Sequence, residues 1–153
     1  MMVTAHRRVE LARSGLVVAI LLWAGVVIGV SFLAAPAKFM APHLSLPVAM
    51  EIGQREFHTL NVVETGLALA ALALGALARP GRTIWLGFGL AAVLVVAQGL
   101  WLLPVLDARA EMIIEGGTPP DAPWHAIYVV AELFKLLVLL VTGWLTLRWL
   151  RSG

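Results

Sequence analysis

The chain has 153 residues, the length of one domain; 61% of them are hydrophobic, 13% are charged, and the mean hydropathy is +0.93. Soluble domains carry roughly 25% charged residues, so the composition excludes an ordinary soluble fold. The net charge of +2 does not indicate a nucleic-acid partner, because the basic residues flank apolar stretches instead of sharing one polar surface. The absence of cysteine removes disulfides, thiol nucleophiles, iron–sulfur clusters and covalently attached haem.

Residues 1–14 are polar and basic, with Arg7, Arg8 and Arg13 ahead of an apolar run over 15–35. That run is longer than the 7–15 residues of a signal-peptide core and matches the ~20 residues that cross a hydrocarbon layer. It reads as an uncleaved first span, although Ala35-Pro36-Ala37 has the small residues of a cleavage site. Gly25 and Gly29 make a G-x-x-x-G spacing that suits close helix approach, within the chain or between copies. Residues 31–64 then hold three prolines and seven ionisable residues, more than a plain connector needs.

Ser45-Leu46-Pro47 reads as a helix start, with serine as N-cap and proline in the first turn. No proline follows until Pro80. A straight helix over 48–78 would measure roughly 46 Å, longer than a ~30 Å hydrocarbon core. The expectation is a bend near Gly53. Residues 47–55 then form an interfacial or re-entrant segment: they either lie along the outer surface or dip back as a lid over the bundle, residues 36–55 forming the lid if the pocket is catalytic. The second span covers 57–78. Arg79-Pro80-Gly81-Arg82 is a tight turn. The third span covers 84–106, with Pro104 weakening its last turn. Residues 107–123 form a polar connector with four acids and one arginine, and the fourth span covers 124–147.

This predicts a single all-α domain over 1–153, a transmembrane four-helix bundle of the bacterial cytoplasmic (inner) membrane. Seven arginines (7, 8, 13, 79, 82, 148 and 151) fall on the side of the termini, against Lys38, Arg55 and Arg109 on the other. The positive-inside rule therefore places both termini in the cytoplasm. Trp85, Trp144 and Trp149 near one interface and Trp124 near the other fit an aromatic belt.

Polar residues inside the spans concentrate toward the outer side. At 1.5 Å per residue, His58 and His125 lie in the first turn, Asn61 and Tyr128 one turn deeper, and Glu64, Gln98 and Glu132 roughly 10–14 Å in, with Lys135 just below. On the fourth helix His125, Tyr128, Glu132 and Lys135 fall within about 80° of one another. Charges in hydrocarbon pair or line a polar cavity. The bland reading is that Glu132 and Lys135 neutralise each other, that Glu64 ties the second helix to Lys135, and that Asn61 and Gln98 are interhelical hydrogen-bond glue. His43 and Lys38 read as solvated loop residues.

Three functions remain open. The first is a pocket on the extracytoplasmic side in which His58, Asn61, Glu64, Gln98, His125, Tyr128, Glu132 and Lys135 bind a small ligand, or His58, Glu64, His125 and Glu132 a transition metal, with Glu64 or Glu132 as a proton carrier if the site is catalytic. A b-type haem between His58 and His125 is a remoter version. The second is a small oligomeric proton-coupled transporter. The third is an accessory or scaffold subunit in a larger membrane complex. The lipid bilayer is the implied partner in all three.

The stretches SFLAAPAKF, LPVAMEIGQREFHTLNVVE and GGTPPDAPWHAIYVVAELFK resemble small bacterial four-helix membrane proteins grouped as a domain of unknown function. The resemblance implies the four-helix architecture and carries no catalytic residue.

Overall fold

The computed structural model describes residues 2–152. Among them there is no strand; the chain forms four helices, each long and apolar enough to cross a membrane. Helix α1 (residues 2–38) is α-helical over Met2–Val27, π-helical over Ile28–Ala34 and α-helical again over Ala35–Lys38. Helix α2 is Leu46–Ala78. Helix α3 (Arg82–Ile114) contains a π-helical segment over Gln98–Leu102. Helix α4 is Trp124–Arg151.

Both π segments end two residues before a proline, Pro36 and Pro104 respectively. A proline ring inside a helix collides with the carbonyl four residues back and donates no N–H. A widened turn just upstream relieves that collision without breaking the helix. Pro104 therefore does not end α3, which continues to Ile114. The first two turns of the polar connector expected at 107–123 are helical.

Helix α2 is also continuous, running through Gly53 for 33 residues, about 50 Å at 1.5 Å per residue. No break separates an interfacial segment at 47–55 from the rest. Gly53 serves close approach: a Cβ there would come within 2.8 Å of Lys38 Nζ. Ser45 occupies the N-cap position, with no side-chain capping bond; its carbonyl accepts the Ala49 N–H at 2.9 Å.

The chain reverses after α2 through Arg79, which is left-handed at φ 52° and donates its N–H to the Gly75 carbonyl. The residue before a proline is disfavoured in the right-handed helical region, so Arg79-Pro80 closes the helix there. Helix α3 ends on Gly116 at φ 84°, with Gly116 N–H bonding the Ile113 carbonyl and Gly117 N–H the Met112 carbonyl, the paired bonds of a Schellman stop.

The helices pack in a ring: α1 against α2 and α4, and α3 against α2 and α4. Leu16, Ile20, Trp23, Ala24 and Val27 of α1 meet Ala68 and Ala71 of α2, Ile84, Phe88, Ala91 and Val95 of α3, and Leu139 of α4. Outward faces remain apolar, with Leu11, Val18, Val62, Leu69, Leu77, Leu86, Val93, Val130 and Leu137 all exposed. A soluble monomer rarely leaves so much contiguous apolar surface in water.

Candidate functional site

The polar residues of all four helices meet at one buried point. Lys135 of α4 is 0% exposed. Its ammonium donates to Glu64 of α2 at 2.8 Å, to Gln98 of α3 at 2.7 Å and to Glu132 one turn earlier at 2.7 Å. Those three bonds use all the protons an ammonium carries. Glu64 Oε1 also accepts the Trp23 indole N–H of α1 at 2.8 Å. Glu132 Oε1 accepts the Gln98 amide at 2.7 Å, and its Oε2 accepts the Ser31 hydroxyl at 2.9 Å. Glu64, Gln98 and Glu132 are all buried.

The π segments supply two of these partners. Ser31 lies in the first and Gln98 in the second, and both donate to Glu132. Asn61 reinforces the second: its amide donates to the Val95 carbonyl at 3.0 Å. A Cβ on Gly99 would fall 2.6 Å from Asn61 Oδ1, so this crossing of α2 and α3 needs glycine.

Above the network lies a cavity of about 700 Å³. Its walls come from the end of α1, the start of α2, the end of α3 and the start of α4. Phe32, Phe39, Phe57, Leu103, Leu106 and Tyr128 are among its apolar lining, and Ser31 and Glu132 reach it from the network. Tyr128 is buried and stacks at 4.9 Å between ring centroids with Phe57. His125 also lines the cavity but is otherwise exposed.

Two charge pairs brace the helices around the cavity. Lys38 Nζ lies 2.5 Å from Glu56 Oε2, joining the end of α1 to α2. The Lys38 side chain is only 9% exposed, which corrects its reading as a solvated loop residue. The aliphatic stem packs inward and the ammonium finds a carboxylate. His58 Nε2 sits 2.6 Å from Asp107 Oδ2, and the Gln54 amide reaches Glu111 Oε1 at 3.2 Å; both join α2 to α3. Arg109 holds the α3–α4 connector through the Pro120 carbonyl at 2.7 Å. His43 is exposed in the α1–α2 connector.

Of the eight candidate ligand-binding residues, Glu64, Gln98, Glu132 and Lys135 share the network, Tyr128 and His125 line the cavity, and Asn61 bonds backbone. His58 is half-exposed and turned to Asp107. The metal set of His58, Glu64, His125 and Glu132 is not assembled, because Lys135 takes both carboxylates and Asp107 takes one imidazole. Among the described residues no cluster of three or more histidines and carboxylates could hold a metal ion.

Trp23, Ser31 and Asp107 are not among the sequence candidates. Trp23 carries one donor in an otherwise apolar run, and only its partner distinguishes it from a core tryptophan. Asp107 stands among several acids of a polar stretch. Ser31 has a usable signal: a hydroxyl five residues before a proline inside a span.

The chain matches no family model, no curated protein and no solved structure.

Proposed function

We propose that this chain is an integral protein of the bacterial cytoplasmic membrane that binds a small organic molecule in the cavity at its extracytoplasmic end. Membrane residence is supported by four helices of spanning length and by their exposed apolar faces. The orientation, termini inside, follows from the seven arginines at the opposite end. The resemblance to small bacterial four-helix membrane proteins agrees with this reading.

The observation that carries the ligand reading is the cavity itself. Its volume of about 700 Å³ lies within the roughly 300–1,000 Å³ of small-molecule sites, which are mostly apolar with a few convergent polar groups. Glu132, Ser31 and Tyr128 are those groups at its base. Metal chemistry receives no support from these contacts, because the carboxylates are already held by a lysine.

Native mass spectrometry of protein released from mild detergent tests this reading. The wild type is expected to carry a small-molecule adduct that Ala110→Trp, which fills the cavity from its α3 wall, loses. Equal adduct occupancy in the two proteins, or none in either, overturns it.

A second reading is an accessory subunit of a membrane complex, favoured by the internal completeness of the network, which leaves no donor on Lys135 for a ligand. Blue-native electrophoresis of gently solubilised membranes separates the two. A ligand-binding protein runs as a monomer or small oligomer, and a subunit runs with a much larger assembly.

A further inference from the structure

The charges around the cavity do not balance, and the imbalance identifies a class of ligand. This inference rests on the reading of the cavity as a small-molecule site. Lys38, Asp107, Arg109 and Glu132 are the charged side chains that line it, together with the titratable His125. Lys38 is neutralised by Glu56. Asp107 and Arg109 are opposite in sign and partly exposed, with Asp107 also beside His58.

Glu132 differs from these. It is 1% exposed, and it shares one ammonium, Lys135, with Glu64, also 1% exposed. The groups that face it are Ser31 from α1, Glu64 from α2, Gln98 from α3, and Tyr128 and Lys135 from α4. Only Lys135 is a cation. Two carboxylates and one ammonium leave an excess negative charge in a region where an uncompensated charge is expensive.

We propose that the cavity takes a lipophilic organic cation, whose positive centre docks over Glu132 and offsets the excess negative charge of the Glu64–Glu132–Lys135 group. The walls suit such a guest. Phe32, Phe39, Phe57 and Tyr128 present four aromatic rings to the cavity, and ring faces attract cations. Two of them already face one: Lys38 Nζ lies 5.4 Å from the Phe39 centroid and 5.5 Å from that of Phe57.

The test compares tetraphenylphosphonium with neutral triphenylphosphine oxide on protein in lipid nanodiscs, by calorimetry. Wild type is expected to bind the cation about tenfold or more tightly than the neutral compound. Glu132→Gln and Glu64→Gln should each lower the preference for the cation over the neutral compound about tenfold or more. Glu64 lies outside the cavity wall, so Glu64→Gln removes the same charge without touching the guest. It stands as the test if Glu132→Gln does not fold. Equal binding of the two compounds by wild type overturns the proposal, as does cation binding that neither variant weakens; the small-molecule reading survives each of these. Failure of both compounds to bind also overturns it, and the native adduct then decides whether the cavity reading falls as well.

Discussion

The two ends of the molecule solve helix packing differently. At the end with the termini and the α2–α3 turn, backbones are regular and small residues let helices touch. A Cβ on Gly75 would meet Phe88 at 2.9 Å, one on Gly143 would meet Leu21 at 2.8 Å, and one on Gly87 would collide with Thr142. Arginines close this end over aromatic faces, Arg13 on Trp149 at 4.6 Å and Arg148 on Trp144 at 4.9 Å. At the other end, two prolines and two π segments disturb the helices, charge pairs brace them, and a cavity remains between. Regular helices with small contact residues leave no space. Irregular ones leave space and re-aim polar side chains into it.

The sharpest way to break this contrast is Lys135→Met. It strands two buried carboxylates without their cation, and losing one partner of a buried ion pair costs about 3–5 kcal/mol. Thermal unfolding in mild detergent should show the largest loss of the series, with partial recovery when Glu64→Gln and Glu132→Gln are added. Trp23→Phe removes only the indole donor to Glu64 and keeps most of the ring, for a loss of about 1–3 kcal/mol by the same measurement. A loss much below that range would mean Lys135 alone satisfies Glu64.

At the tight end, Gly87→Ala inserts a methyl where Thr142 sits, and overpacking of this kind costs about 1–3 kcal/mol. Adding Thr142→Ala should return most of it; an unrelieved double variant would locate the cost elsewhere. Asp107→Asn at the cavity end weakens a half-exposed pair, worth about 0–1 kcal/mol, so its melting temperature should stay near that of the wild type.

The smallest effect belongs to Gly25→Ala. A Cβ at Gly25 or at Gly29 would meet nothing within 4 Å, so stability of the single chain should change by less than about 0.5 kcal/mol. The G-x-x-x-G spacing is thus unused inside the chain. A change in oligomeric state on size-exclusion chromatography, without a change in stability, would assign it to contact between copies.

Much of the site is legible as depth. Glu64, Gln98, Glu132 and Lys135 fall at similar heights when residues are counted from the span ends, and the structure joins those four. Depth does not by itself say what His58 and Asn61 touch. Helical spacing says how side chains on one helix relate, but the face turned inward depends on how neighbouring helices are rotated. Helix α2 presents Glu64 to the network, leaves Asn61 to the Val95 carbonyl and turns His58 toward Asp107 near solvent. The separate segment expected at 47–55 is instead the start of α2, for a related reason. Hydropathy marks where apolar residues stop and not where a helix stops, so the polar starts and ends of the helices read as connectors although they are cavity walls.

The sequence by itself determined that there are four long apolar helices, that charge is distributed unequally between their ends, and that polar residues cluster toward one end. Composition and residue spacing are properties of the chain and need no partner to be read. Tertiary structure decided that one lysine serves two carboxylates, that both π segments aim a donor at Glu132, and that a cavity opens beside it. Those facts depend on the distance between residues up to 101 positions apart, which only the packing of the helices sets.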